Sequence, residues 1–72
     1  YMNNCFAQRL KELIKTNGCS QDTLAHALNV KQQTVSKYVR GVNEPDLDTL
    51  LAIARYFGVT VDYLIDPDED LR

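Results

Sequence analysis

The sequence predicts an all-α domain built from five short helices. Two observations lead to this prediction. Apolar residues recur every three or four positions in five separate segments, which is the period of an amphipathic helix. Glycine, asparagine or proline follows each of these segments, and no alternating run is long enough to indicate a strand. The punctuation therefore divides the chain into helices joined by short turns.

The first predicted helix runs from about residue 4 to residue 17 and ends at Gly18. Its apolar side chains fall on one stripe, formed by Phe6, Leu10, Leu13 and Ile14. The second helix begins with Ser20 as N-cap, carries Asp22 in its first turn and ends at Asn29. Asparagine tolerates the left-handed conformation that a sharp helix exit requires. A very short connection to the next helix is therefore expected.

The third predicted helix spans about residues 31–40 and is closed by Gly41. One side is largely apolar, with Thr34, Val35, Tyr38 and Val39, and we expect Tyr38 to be a core residue. The opposite arc holds side chains that can all donate hydrogen bonds, namely Gln32, Gln33, Ser36, Lys37 and Arg40. A solvated helix face normally mixes acids with bases, yet this arc contains no acid. The pattern favours a negatively charged partner rich in acceptors.

The fourth helix is predicted to begin after the N-cap Asp46 and to end at Gly58. Its apolar stripe is predicted to consist of Leu47, Leu50, Leu51, Ala54 and Phe57. Thr60 caps a last short helix, which Asp66 and Pro67 terminate. The apolar residues of that helix are Val61, Leu64 and Ile65.

Composition places the chain among small globular domains. It has 72 residues, of which 44% are hydrophobic and 25% charged, too apolar for a disordered chain. No apolar run approaches the roughly 18 residues of a membrane span, and we expect a soluble, cytoplasmic protein. Residues 1–66 are predicted to form the domain, and residues 67–72 an acidic tail or the start of a linker. Tyr1 before Met2 and this acidic end suggest a piece of a longer protein.

Neither cysteines nor histidine indicate a metal or catalytic site. Cys5 and Cys19 are too few for a disulfide framework or a zinc site, and both are expected to be small buried hydrophobes in a reducing compartment. His26 is the single histidine and is expected to be an exposed helix residue. We therefore predict no enzyme activity, cofactor, metal or small-molecule ligand.

Charge is distributed unevenly along the chain, although its net value is only −2. Residues 1–43 carry six cations and two acids, whereas residues 44–72 carry two cations and eight acids. The third helix lies in the basic half, so the acidic total does not exclude a nucleic-acid partner. Arg9, Lys11 and Lys15 are expected to be mostly solvated, with Arg9 within possible reach of a phosphate.

A family resemblance rests on residues spread over most of the chain. Gln21, Ala25, Asn29, Val30, Val35, Gly41 and Pro45, followed by LDTLLAIARYFGV and VDYLI, resemble the Cro and phage-repressor (XRE-like) helix-turn-helix domains. The likeness covers residues 6–65. It implies a five-helix, lambda-repressor-like domain whose second and third helices form the helix-turn-helix, with the third helix in the major groove of double-stranded DNA.

The resemblance also implies which residues contact DNA. Base contacts would come from Gln32, Gln33, Lys37 and Ser36. Phosphate contacts would come from Gln21, Lys31, Arg40 and Asn43. Arg40 has an equal alternative, which is to cap the C-terminal end of its own helix.

Three positions depart from the common pattern of the family. Lys31 stands where Ser or Thr usually caps the third helix, and a cation there opposes the helix dipole. Asn29 replaces the usual turn glycine. Ile14 and Val39 stand where many members pair an arginine with a glutamate, so we predict an apolar contact in place of that ion pair.

We expect sequence-specific DNA binding by a bacterial or phage transcriptional regulator. Of the two forms of regulation, we expect repression rather than activation. A two-fold homodimer would place two recognition helices about 34 Å apart, and Val59, Val61 and Tyr63 are candidates for its interface. The alternative is a protein-binding module, such as an antitoxin or adaptor, that uses the acidic C-terminal half. The acid-free arc of the third helix favours the DNA-binding prediction.

Overall fold

The computed structural model describes residues 5–66. It contains five helices: α1 (Phe6–Asn17), α2 (Gln21–Leu28), α3 (Gln32–Val39), α4 (Leu47–Phe57) and α5 (Val61–Ile65). The predicted all-α, five-helix fold is confirmed. The predicted start of the first helix at Asn4 and the acidic tail of residues 67–72 lie outside the described residues. Within residues 5–66, no helix is both long and apolar enough to cross a membrane.

The core lies at the centre of the five helices, and every helix contributes to it. Six side chains are almost completely buried: Leu10 of α1, Leu24 of α2, Val35 of α3, Leu50 and Ile53 of α4, and Leu64 of α5. Complete burial of one such side chain stabilises a fold by about 1.5–3 kcal/mol. The inner stripes of the helices therefore account for most of the stability of this small domain.

Short-range hydrogen bonds fix where three of the helices begin. Each predicted N-cap side chain accepts a hydrogen bond from the backbone N–H three residues later: Ser20 from Thr23 (3.0 Å), Asp46 from Thr49 (2.9 Å) and Thr60 from Tyr63 (3.0 Å). Hydrogen bonds from the Thr49 hydroxyl and backbone N–H hold the pKa of Asp46 below its usual value of 3.8. Asp46 is therefore ionised at neutral pH, which suits the positive end of a helix dipole.

Tyr38 connects α3 to the rest of the core, as predicted. Its side chain is buried, and its ring meets the ring of Phe6 on α1 edge to face, with the ring centroids 6.2 Å apart. Burial, followed by the negative charge of Asp46, raises the pKa of the Tyr38 hydroxyl above 10.0. The phenol is thus neutral over the physiological range, as a buried group should be.

The predicted apolar stripe of α4 is wrong at one end. Leu47 is 62% exposed. Leu47 is the first residue of α4, and helical side chains tilt toward the N-terminus, so its side chain extends beyond the packed part of the helix. Ile53, which the prediction omitted, is completely buried instead. The core-facing stripe of α4 is therefore Leu50, Ile53 and Ala54, with Leu51 and Phe57 half-buried beside it.

Two expectations about α1 and the turn after it are also wrong. Cys5 is buried as predicted, but Cys19 is only half-buried. Arg9 was expected to be solvated, yet only 8% of it is exposed. Its guanidinium lies against α5, where it finds hydrogen-bond and aromatic partners that the linear sequence does not show.

Candidate nucleic-acid interface

A tight turn sets the angle between α2 and α3. Asn29 has φ 60°, and is the only residue other than glycine with positive φ among residues 5–66. The backbone N–H of Val30 then donates to the Ala25 carbonyl at 3.0 Å, which closes the end of α2. Val30 is half-buried below the turn. Asn29 thus performs the role of the usual glycine, and α3 starts three residues later, at Gln32.

The buried side of α3 fixes which side chains point outward. Val35 is completely buried and Tyr38 nearly so, while Val39 is half-buried against the core. Ile14 of α1 is also half-buried against that core, so both residues that were predicted to form an apolar contact in place of an ion pair are packed against the core. The exposed side chains are Lys31, Gln32, Gln33, Lys37 and Arg40. We call these five residues the outer face of α3.

The structure brings together two amides that lie eleven residues apart in the sequence. The Gln32 Nε2 donates a hydrogen bond to the Gln21 Oε1 at 3.1 Å. Gln32 retains its Oε1 acceptor and a second N–H, and Gln21 retains both N–H donors of its Nε2. Gln21 is half-buried at the start of α2, so it holds Gln32 from a fixed position. The first side chain of α3 is therefore oriented before any partner arrives.

The N-terminus of α3 differs from those of α2, α4 and α5. Lys31 is its N-cap residue and makes no capping hydrogen bond, and the first turn contains no acid. The first N–H groups of a helix have no acceptor within the helix. Here they lie beside the exposed Lys31 and the two glutamines, where the helix dipole adds to the positive charge. This end of α3 is suited to an anion.

The C-terminal end of α3 uses part of the predicted site for its own stabilisation. The Arg40 Nε donates to both the backbone carbonyl and the Oγ of Ser36, each at 3.3 Å. The structure thus shows the capping role for Arg40, and Ser36 is half-buried and already hydrogen-bonded. After Gly41, the backbone N–H of Asn43 donates to the Lys37 carbonyl at 3.4 Å, which leaves the Asn43 side chain exposed.

Charged side chains are distributed unevenly among the helices of the folded domain. The outer face of α3 holds three cations and no acid. The exposed acids lie on other segments: Glu12 on α1, Asp22 in the first turn of α2, Glu44 and Asp46 before α4, Asp48 in the first turn of α4, and Asp62 on α5. An anionic polymer would therefore be attracted to α3 and repelled from α4 and α5.

The three residues predicted for pairing are less exposed than the sequence suggested. Val59, Val61 and Tyr63 are half-buried and pack against the core. The large apolar side chains that stand out among the described residues are others: Val42 at 61%, Leu47 at 62% and Tyr56 at 44% exposed. Val42 lies in the turn after α3, and Leu47 and Tyr56 lie on α4 outside its buried stripe.

Potential ligand and metal sites are few in the described part of the chain. Residues 5–66 hold no group of three or more His, Cys, Asp or Glu side chains that could bind a metal ion. His26 is exposed on α2, as predicted. A shallow open groove of 590 Å³ lies between α1 and α5, lined by Glu12, Leu13, Lys15, Thr16 and Tyr63. It lies away from the outer face of α3.

Comparison with known proteins identifies the family. The helix-turn-helix family model HTH_3 matches residues 10–64. The HTH-type transcriptional regulator ImmR of Bacillus subtilis (strain 168) is 39% identical over 62 residues, which cover 86% of this chain and 49% of ImmR. The regulator YonR, from the SPbeta prophage of the same strain, is 38% identical over 60 residues, covering 83% and 56%. The chain thus spans about half the length of these relatives.

The fold comparison agrees. The crystal structure of a transcriptional regulator from Listeria innocua superposes with a TM-score of 0.80 at 37% identity, covering 83% of this chain and 56% of that one. The matched region contains α2, the turn at Asn29 and α3. The chain therefore belongs to the helix-turn-helix family.

Proposed function

We propose that this domain binds double-stranded DNA in a sequence-specific manner and acts as a bacterial or phage transcriptional regulator. The observation that carries the proposal is the outer face of α3, which is exposed, cationic and free of acids. The pre-oriented Gln21 and Gln32 lie at its leading end. An α-helix with its side chains is about 10–12 Å in diameter, which fits the B-DNA major groove of about 12 Å width.

Gln32 and Gln33 are the proposed readers of base identity. A glutamine amide presents a donor and an acceptor side by side, which match N7 and the N6 amino group of adenine. The bond to Gln21 leaves Gln32 with both functions available. Lys37 lies one turn further along and can reach guanine O6 or N7. Ser36 contributes less, because Arg40 already occupies its Oγ.

Phosphate contacts would set the register of the domain on the duplex. Gln21 offers its free Nε2, and Lys31 adds a charge at the uncapped N-terminus of α3. Asn43 and Arg40 lie at the other end of the same helix. Contacts at both ends of α3 would align it along the groove. Each neutralised phosphate makes binding steeper in salt, by about 0.9 in the logarithmic slope.

A two-fold homodimer on DNA is part of the proposal. The two recognition helices would lie about 34 Å apart, one turn of the duplex. Val61 and Tyr63 of α5, together with Val59 before it, offer half-buried apolar surface on a segment other than α3. Pairing through this segment would leave both copies of the outer face of α3 free for DNA.

Repression is the form of regulation that requires the fewest interaction surfaces on the domain. A protein bound across a promoter excludes the polymerase without any surface beyond the one that contacts DNA. The target would be an operator on bacterial or phage DNA, which places the protein in the cytoplasm. Placing the selected operator before a reporter gene would test this, since repression lowers expression and activation raises it.

Selection from random duplexes tests the DNA-binding proposal directly. The wild-type chain and the Gln32→Ala, Gln33→Ala double variant would each be selected and sequenced at two salt concentrations. Gln8→Ala is the matched control, since Gln8 is an exposed glutamine on α1. An adenine-containing two-fold motif is expected for wild type and control and is expected to disappear in the double variant. Equal, motif-free binding by all three proteins would contradict base readout by α3.

The second candidate function is a protein-binding module of the antitoxin or adaptor kind. The observation in its favour is the set of exposed carboxylates on α4 and α5, including Asp48 and Asp62. A basic partner would dock there and leave α3 unused. Replacing both acids by asparagine would then abolish partner binding, whereas DNA binding by α3 would be unchanged or slightly stronger.

A further inference from the structure

The last helix of the domain is too short to be stable by itself. α5 contains five residues, whereas isolated helices below about 12–15 residues are marginal in water. The last four carbonyls of any helix also lack N–H donors within the helix. In α5 these carbonyls make up nearly the whole element. Its stability must therefore come from groups outside it.

Two side chains of the α1 region supply those missing donors. The Arg9 guanidinium donates from Nη1 to the Tyr63 carbonyl. The Cys5 thiol donates to the adjacent Leu64 carbonyl, with Sγ and O 3.4 Å apart. The Arg9 guanidinium also lies 4.6 Å from the centroid of the Tyr63 ring. A single arginine thus contacts both the backbone and the side chain of the same α5 residue.

The burial of Arg9 makes these contacts strong. Only 8% of the residue is exposed, so water competes little for its hydrogen bonds. Its positive charge lies at the C-terminal end of α5, where the helix dipole is negative. A charged donor in this position stabilises a helix end more than a neutral one does. These contacts are separate from the outer face of α3, which they leave unchanged.

We propose that Arg9 is the main clamp of α5, assisted by the Cys5 thiol, and that α5 opens and closes as a unit of its own. When the clamp is closed, Leu64 fills the core and Val61 and Tyr63 are held in place. When it is open, the domain keeps α1 to α4 but loses the surface formed by α5. If Val61 and Tyr63 mediate pairing, as the proposed function holds, the clamp also controls the dimer.

Amide hydrogen exchange resolved by residue tests the clamp. The Tyr63 and Asp66 amides report on α5, because they donate to the Thr60 Oγ1 and to the Asp62 carbonyl. The Leu24 and Leu50 amides report on α2 and α4, where they donate to the Ser20 and Asp46 carbonyls. Three proteins are compared with wild type: Arg9→Met, Arg9→Lys and the control Lys11→Met, which removes an exposed cation from the same helix.

We expect Arg9→Met to speed exchange at Tyr63 and Asp66 on the order of tenfold or more, the usual effect of losing a hydrogen bond from a charged donor. Leu24 and Leu50 should change much less. Arg9→Lys should fall between, since lysine keeps the charge without the planar fork. Lys11→Met should match wild type. Acceleration of all four amides by one common factor in Arg9→Met, or unchanged exchange in α5, would overturn the proposal.

The wild-type protein provides a second test that needs no variant. Under native conditions, Tyr63 and Asp66 should exchange through an opening of lower free energy than that of Leu50. Identical opening free energies at the three amides would overturn the proposal. Sedimentation equilibrium of wild type and Arg9→Met then tests the effect on pairing. A wild-type chain that stays monomeric would count against the proposed dimer and not against the clamp, which the exchange rates decide.

Discussion

α2 and α3 are neighbouring helices of equal length, and each buries two side chains completely or nearly so. Their ends are nevertheless built differently. α2 starts with a capping serine and an acid in its first turn, whereas α3 starts with an uncapped lysine and no acid. The buried side chains of both helices stabilise the fold, but only α2 also has a capping side chain and a favourable charge at its N-terminus. Because α1 also starts without a capping side chain or a first-turn acid, it is the combination of this uncapped start with an exposed cationic outer face that distinguishes α3 as the proposed partner surface.

The largest expected effect concerns what the two helices share. Leu24→Ala in α2 should lower the free energy of unfolding by about 2–5 kcal/mol, through lost burial and the cavity left behind. Val35→Ala in α3 should act in the same direction but less, because fewer methyl groups are removed. Urea denaturation measures both. Changes below about 0.5 kcal/mol, the range of surface substitutions, would contradict the equal role of the inner sides.

The second effect concerns DNA affinity, in which we expect substitutions in α3 and α2 to differ. The Gln32→Ala, Gln33→Ala double variant should bind the selected duplex at least tenfold more weakly, since one bidentate base contact contributes about 1–3 kcal/mol. Its stability should stay within about 0.5 kcal/mol of wild type, because both side chains are exposed. Replacing Thr23 and His26, exposed residues of α2, by alanine is the comparison. Equal loss of affinity in the two double variants would remove the distinction between the helices.

The third effect concerns folding stability, which we expect to fall on substitution of the N-cap of α2 and to rise on substitution of the N-cap of α3. Ser20→Ala should destabilise the domain by about 1 kcal/mol, since it removes the bond to the Thr23 N–H. Lys31→Ser should instead stabilise it by about 0.5–1 kcal/mol, by adding the missing cap. The same Lys31→Ser change should weaken DNA binding and reduce its logarithmic salt slope by about 0.9. Thermal melts and salt titrations measure both properties. A Lys31→Ser protein that loses stability while keeping its DNA affinity would contradict the view that Lys31 serves DNA binding at the cost of capping α3.

The smallest effect concerns pH and the cap of α4. The pKa of Asp46 is lowered from 3.8 by its hydrogen bonds to Thr49. The stabilisation from its ionised form is therefore complete above the unfolded-state pKa and is lost as the pH falls through the lower folded value. Asp46→Asn, which can still cap, should show a shallower loss of stability below about pH 4. An acid denaturation profile identical to wild type would show that Asp46 contributes nothing to it.

Much of this architecture could be predicted because it depends on local rules. The N-caps, the left-handed exit at Asn29 and the buried side of α3 follow from residue type and spacing over a few positions. The exposure of Leu47 could not be predicted, because it depends on where neighbouring helices stop covering α4. The burial of Arg9 against Tyr63 joins residues 54 positions apart, a distance at which no local pattern operates.

The candidate site shows the same division. The polar arc of α3 was predicted from a 100° periodicity, and the structure exposes Gln32, Gln33, Lys37 and Arg40 of this arc but leaves Ser36 half-buried. The bond between Gln21 and Gln32 and the capping of α3 by Arg40 required the folded geometry. The role of each residue toward DNA remains a prediction until DNA binding is measured.

The measurement that tests the central claim most directly is a backbone amide chemical-shift titration with a short DNA duplex at low salt. The account predicts the largest changes at Gln21, Gln32, Gln33 and Lys37, with little change on α4 and α5. Duplex-dependent changes centred on Asp48 and Asp62, with α3 unaffected, would contradict it. That result would favour the acidic C-terminal half as the functional surface of the domain.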